Sequence, residues 1–361
     1  MTDTPWRRDP GAFHVRLQAW ANAVVGDGVK VLEVDAPRGT GMSSETVLFG
    51  LAGADGGAAR RYVARLAPDP AAYPVFPVYD LELQARCMRV VGAHTSIPVP
   101  EVPWYEPDAA WLGTPFLVMG RIDGVAPSDI PPYVLTGWVL DATAEQRARL
   151  QAGAIGVLAR LHELTPTVAD LSFLDRPEHG ATPLAQHLGY QRWYYDWARE
   201  GVRYPLVERA FAWLDAHCPV PGPTVINWGD ARIGNILFRD FTPVAVLDWE
   251  MAALGPVEVD VAWIIWMHRF FQNIATSQGL PGLPGFMRRA DVVAAYERDS
   301  GRVLDDLHWY EVFAATRHAI ITLRTHGRTL RFGATPMPDD PDDVVTFRPL
   351  LEGLLAGEET E

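Results

Sequence analysis

Between Val225 and Ala262, three short apolar runs each deliver a polar residue at a set spacing, and no other stretch restricts the chain as tightly. Thr224-Val225-Ile226 leads into Asp230. Asn235 comes five positions later, just ahead of Ile236-Leu237-Phe238. A turn at Asp240 to Pro243 gives way to Val244-Ala245-Val246-Leu247, with Asp248 at its end. Apolar runs of this length bounded by turn residues read as buried strands. A hairpin built from them places Asp230, Asn235 and Asp248 at one end.

Three such groups at one end of a hairpin suit phosphoryl transfer, which asks for positioning and charge more than for covalent help. Asp230 suits the orientation and deprotonation of a hydroxyl. Asn235 and Asp248 offer hard oxygen donors for a magnesium ion. Arg232, two residues beyond Asp230, is placed to offset charge on a transferring phosphoryl group. The spacing Asp-x4-Asn followed by a strand-borne Asp is that of kinase catalytic and metal-binding loops.

The segment resembles the signature of the aminoglycoside phosphotransferase and choline kinase families. Their pattern, His-Gly-Asp-x4-Asn, then Asp-Trp-Glu, then Gly-x4-Asp, stands here as Trp228-Gly229-Asp230, Asn235, Asp248-Trp249-Glu250 and Gly255 to Asp260, with Trp228 where His is usual. Within that group the chain is most similar to the actinobacterial and acyl-CoA-dehydrogenase-associated branch. The resemblance implies an α+β, bilobal, protein-kinase-like fold: a small antiparallel β-rich lobe over residues 1–122, with a leading helix and the hinge at its end, and a larger, mainly helical lobe over 123–361. It further implies transfer of the ATP γ-phosphoryl group to a hydroxyl of a small molecule with Mg²⁺. Asp260 would brace the catalytic loop by accepting backbone hydrogen bonds.

The same resemblance assigns nucleotide contacts in the first lobe. Gly39, Gly41, Ser43 and Ser44 lie between two expected strands, Val29–Val34 and Thr46–Leu51, where glycines and serines can lay amides and hydroxyls over phosphates. A plain hairpin turn is the rival reading there. Lys30 is the only lysine, so the cation that anchors phosphates must be an arginine. Arg65, at the end of Arg61–Leu66, is in the right place and offers a fork for phosphate oxygens; a solvated strand-end arginine is the alternative. Glu82, on a helix expected over Val78–Val91, would pair with that cation. Backbone near Met119 and Arg121 would bond adenine.

Beyond residue 122 the pattern turns helical. Thr143-x-x-Gln146 reads as a capping box opening a helix to Glu163, with Leu150, Ile155, Leu158 and Leu161 inward. His162, at its end, reads as structural. Tyr190, Trp193, Tyr194 and Trp197 stud another helix, either as core or as the wall of an acceptor pocket. Residues 306–331 read as one long helix with Arg317, Arg324, Arg328 and Arg331 along one side, a solvated face or a patch for an anionic group.

With 361 residues, the chain has ample length for a two-lobed unit. No apolar run approaches the roughly 20 residues that span a bilayer. The opening MTDTPWRRDP has no apolar signal region, so a cytoplasmic protein is expected. Cys87 and Cys218 stand alone, without metal-ligand spacing. A net charge of −14 argues against nucleic-acid or anionic-membrane partners. Two acceptor classes stay open, a hydroxyacyl-type metabolite and an aminoglycoside. Two other readings also remain: a nucleotide-binding protein that has lost catalysis, and a regulatory partner of an acyl-CoA dehydrogenase.

Overall fold

The computed structural model describes residues 10–35, 44–53, 59–333 and 336–358. It forms two compact units, one from the described residues up to Arg89 with Pro100–Ile122, the other from Val90–Val99 with the chain from Asp123 onward. Among the described residues, no helix is long and apolar enough to cross a membrane.

In the first unit, α1 (Pro10–Val24) precedes β1 (Lys30–Asp35), β2 (Glu45–Ala52) and β3 (Arg60–Leu66); α2 (Leu81–His94), β4 (Trp104–Glu106), α3 (Ala109–Leu112) and β5 (Phe116–Gly120) follow. The strands make one antiparallel sheet in the order β1-β2-β3-β5-β4. Phe13, Leu17, Trp20 and Ala21 form the buried stripe of α1, and Trp20 meets Phe116 and Trp104 edge-on at 5.2 and 5.7 Å. Val24, at the same helical spacing, is 42% exposed, because the helix gives way to a turn there. β4 is short, Trp104–Glu106, although apolar sequence begins at Val99. Pro98, Pro100 and Pro103 have no N–H to donate to a ladder, which holds the earlier residues out of the sheet.

The second unit is mainly helical, with α4 (Trp138–Asp141), α5 (Ala144–Leu161), α6 (Pro183–Ala198) and α7 (Pro205–Ala216) ahead of a run of short strands. These are β6 (Val225–Asn227), β7 (Ile236–Arg239), β8 (Thr242–Val246) and β9 (Ala253–Gly255); α8 (Glu258–Ser277), α9 (Arg289–Ser300), α10 (Leu307–Arg331) and α11 (Arg348–Leu355) follow. The capping box at Thr143 and Gln146 is formed, and Leu150, Ile155, Leu158 and Leu161 are buried. β7 and β8 make the expected hairpin. β6 joins a separate ladder with β9, a three-residue segment whose sequence carries no strand signal.

Two buried histidines and a half-buried one are expected to make this unit acid-sensitive. His187 of α6 bonds Asn227, His268 of α8 bonds the Tyr133 hydroxyl at 2.7 Å, and His318 of α10 accepts from the Trp266 indole at 3.1 Å. Burial pushes the three down to about 4, about 4 and about 3, respectively. The unfolded chain therefore binds protons that the fold refuses. The contribution to stability is complete above the ordinary histidine value near 6.5 and is lost as pH falls toward 4. At pH 5 each histidine is expected to have given up about 2 kcal/mol. Thermal melting between pH 7.5 and 5 at constant ionic strength checks this, and a flat Tm over that range would contradict it.

Candidate active site

The loop after β6 is held from below. Asp260, in the first turn of α8 and fully buried, accepts the Trp228 N–H at 2.7 Å and the Gly229 N–H at 2.9 Å. This is the bracing expected of it. His162 stands behind Asp260, with Nε2 3.2 Å from Oδ2 and Nδ1 2.8 Å from the Tyr296 hydroxyl, which makes its role structural. Gly229 has φ of +86°, and a Cβ there would lie 2.0 Å from the Met251 carbonyl oxygen, so only glycine fits.

Trp228, where the family pattern has His, is fully buried. Its indole N–H donates to the Leu247 carbonyl at 2.8 Å. The substituted side chain thus ties the start of the loop that carries Asp230 to the residue before Asp248. A third tie joins the Leu247 N–H to the Asn235 carbonyl at 2.9 Å. Asp230, Asn235 and Asp248 are thereby gathered at one end of the β7/β8 hairpin.

Both oxygens of Asp230 are engaged. Oδ2 accepts from Arg232 Nε at 3.0 Å and from Asn235 Nδ2 at 2.6 Å, and Oδ1 accepts from the Trp263 indole at 2.7 Å. Burial pushes this carboxyl up, but Arg232 and the three hydrogen bonds outweigh burial and hold it below its ordinary value. Arg232 also pairs with Asp129, so its guanidinium is clamped between two carboxylates. Burial works against that charge, yet the two carboxylates raise its pKa above the usual arginine value.

Asn235 turns its amide nitrogen to Asp230, and its Oδ1 accepts no hydrogen bond from the described residues. Asp248 follows β8 with φ of +64°, a left-handed conformation that a non-glycine residue adopts at a cost. Two oxygen donors on tied backbone fit Mg²⁺, which is commonly bound by one or two protein oxygens plus water and substrate phosphates. Among the described residues there is no cluster of three His, Cys, Asp or Glu side chains.

In the first unit, Arg65 is 9% exposed on β3, in register with Thr46 and Leu117. Ser44 sits in a bend just before β2; Gly39, Gly41 and Ser43 lie outside the described residues. Glu82 is exposed in the first turn of α2, off the buried stripe of Leu81, Gln84, Ala85 and Met88, and makes no ion pair with Arg65. The helix phase that buries Gln84 turns Glu82 to solvent, which corrects the expected pairing. Met119 is buried on β5, and the backbone N–H groups of Gly120 and Arg121 already donate to Glu101 and Arg61 at 2.8 and 3.0 Å.

The basic face of α10 needs a larger correction. Arg317 and Arg324 are 2% and 3% exposed. Arg317 lies 3.8 Å from the centre of the Trp263 ring and donates to the Gly229 carbonyl. Arg324 packs 3.9 Å over Trp197 and pairs with Glu200 at 2.7 Å. α10 packs against α6 and α8, so the part of that side carrying Arg317 and Arg324 is an interior seam, while Arg328 is half-buried and Arg331 is exposed. On α6, Tyr194 is core, while Trp193 is 40% exposed.

Asp129, Trp263 and Arg317 join the site without having been expected there. Trp263 is legible in part, since it lies one helical turn after Asp260 and shares its face. Arg317 and Asp129 come from distant segments and carry no local signal.

A bent loop presenting a carboxylate, an amide and a second carboxylate, in a chain that also builds a five-stranded antiparallel sheet as a separate unit, defines a protein-kinase-like fold of the phosphotransferase class. The chain belongs to the phosphotransferase enzyme family, whose model matches residues 36–313. It is 26% identical over 336 residues to the Arabidopsis thaliana protein named as probable acyl-CoA dehydrogenase IBR3, covering 88% of this chain and 39% of that protein. It is 29% identical over 285 residues to mouse acyl-CoA dehydrogenase family member 10, covering 75% of this chain and 25% of that protein. The chain thus spans well under half the length of these relatives. Among solved structures, a Ralstonia eutropha protein assigned to the aminoglycoside phosphotransferases superposes with a TM-score of 0.64 at 21% identity, covering 95% and 97% of the two chains. Aminoglycoside phosphotransferase APH(4)-Ia in ternary complex with AMP-PNP and hygromycin B superposes at 0.57 with 16% identity, covering 95% and 99%. These superpositions speak to the fold.

Proposed function

We propose that the chain transfers the γ-phosphoryl group of ATP to a hydroxyl of a small molecule in a Mg²⁺-dependent reaction. The observation that carries this reading is the Asp230–Asn235–Asp248 arrangement, held by Asp260 and by the Trp228 indole. Asn235 and Asp248 would hold magnesium, which when bound supplies charge neutralisation to the phosphates. Asp230 orients the acceptor hydroxyl and takes its proton. A carboxylate held below its ordinary value is a weak base, so its main work is orientation, with the proton arriving late. Arg232 sits beside Asp230 and offers positive charge near the transferring group. Arg65, Ser44 and the 39–43 stretch would hold phosphates, and the Met119–Arg121 segment would meet adenine.

For the acceptor we place a hydroxyacyl-type metabolite ahead of an aminoglycoside. Support comes from the similarity to proteins named as acyl-CoA dehydrogenases. The arginines of α10 do not add to it, since Arg317 and Arg324 are used internally. Purified protein with ATP, Mg²⁺ and both acceptor classes, read by mass spectrometry, tests the order. Efficient phosphorylation of aminoglycosides with none of hydroxyacyl compounds would reverse it, and ATP binding with no transfer to anything would favour a nucleotide-binding protein.

Asp248→Ala is expected to abolish the magnesium-dependent part of ATP binding, because Asn235 alone would face the ion. Titration calorimetry with and without Mg²⁺ checks this; equal affinities in wild type and variant would remove Asp248 from the role.

A further inference from the structure

Asp230 is held by two sets of partners of different origin. Arg232 and Asn235 lie in its own loop, within the Asp-x4-Asn stretch. Trp263 does not: it comes from α8 and donates its indole N–H to Oδ1 at 2.7 Å. Trp263 is 2% exposed, so the ring has no freedom to swing away. Its face carries the Arg317 guanidinium 3.8 Å from the ring centre. That guanidinium also donates to the carbonyl of Gly229, the residue before Asp230. Asp260, one turn before Trp263 on α8, binds the N–H groups of Trp228 and Gly229.

We propose that Trp263, backed by Arg317, is a positioning residue that sets the orientation of the Asp230 carboxylate toward the acceptor hydroxyl. Indole is a donor only, so the Trp263 contact cannot reverse its sense. A cation on the ring face draws electron density from the ring, which makes the N–H a stronger donor. A carboxylate oxygen accepts two hydrogen bonds. With Trp263 on one lone pair of Oδ1, and Arg232 and Asn235 on Oδ2, a lone pair of Oδ1 stays available in a defined direction. Trp263 itself is neutral, so it holds Asp230 by a hydrogen bond and not by an ion pair. One helix thereby fixes both the backbone of the catalytic loop, through Asp260, and the side chain it presents, through Trp263.

The inference rests on the phosphotransferase reading, and two measurements keep the two apart. In the first, the indole N–H resonance of Trp263, assigned by its absence in Trp263→Phe, is followed in wild type and in Asp230→Asn at neutral pH. A strong upfield shift on loss of the carboxylate charge is expected, and an unmoved resonance overturns the contact. In the second, Trp263→Phe keeps the ring and the Arg317 contact but loses the donor. Losing one charge-assisted hydrogen bond to the reacting group is expected to lower kcat about tenfold to a hundredfold while KM for ATP stays unchanged. An unchanged kcat overturns the positioning role and leaves the phosphotransferase reading standing. A rise in KM for ATP in step with the fall in kcat would show a collapsed site and also overturns it. Wild-type protein that binds ATP and transfers to no acceptor sinks the phosphotransferase reading instead. Should Trp263→Phe fail to fold, assignment by Trp263 sequence neighbours lets the Asp230→Asn comparison decide alone.

Discussion

Asp230→Asn is expected to lower turnover by a factor on the order of 10²–10⁴, the usual span for loss of a group that accepts a proton in the transition state. The substitution keeps the size of the side chain but removes its charge and half of its accepting capacity. Three donors converge on this carboxylate, from Arg232, Asn235 and Trp263. An amide cannot accept from all three sides: either its own NH₂ faces Arg232 and Asn235, or it faces the indole. Arg232 keeps its pairing with Asp129, so the buried guanidinium is not left alone. Stability should therefore fall by only about 1–3 kcal/mol, the cost of one buried donor left unmatched. Nucleotide affinity should stay close to wild type, because Asp230 is not among the proposed nucleotide contacts. Single-turnover kinetics with a competent acceptor, alongside a melting curve, separates the two effects. A folded variant with wild-type turnover would take Asp230 out of the reaction.

Asp260→Ala is expected to be the most damaging single change for the fold of the second unit, by about 3–5 kcal/mol. The carboxylate is fully buried and is bonded by the N–H groups of Trp228 and Gly229 and by His162. Removing it strands two backbone donors and a histidine nitrogen, each costing about 1–3 kcal/mol when buried without a partner. It also frees the loop that carries Asp230, so turnover should be lost along with stability. Asp260→Asn offers a shape-conserving comparison: it retains one accepting oxygen and should fall between wild type and alanine on both counts. Chemical denaturation of all three proteins measures the order, and an alanine variant with an unchanged midpoint would show that the loop is held by other means.

Much of this site is legible in the sequence itself. Asp230, Asn235 and Asp248 are close along the chain, and hairpin pairing alone brings the last two together, because alternation and turn residues dictate the register of so short a ladder. Asp260 takes its bracing role from its place in the signature, while α5 follows from capping and periodicity and α10 from its spacing alone. Which side of α2 and of α10 faces inward is not legible, because neighbouring elements decide it. The arginines of α10 look solvent-facing along a line of sequence, yet packing against α6 and α8 buries Arg317 and Arg324. Glu82 turns away from its expected partner for the same reason, since helix phase is settled by what the helix packs on. The residues that orient Asp230, namely Trp263, Arg317 and Asp129, lie 33, 87 and 101 positions from it, by subtraction of their numbers. Local propensity and spacing act over one or two turns of chain. Contacts at such separations are decided only when the apolar faces of whole elements are buried against one another, and it is that burial which brings the indole, the guanidinium and the second carboxylate to the loop.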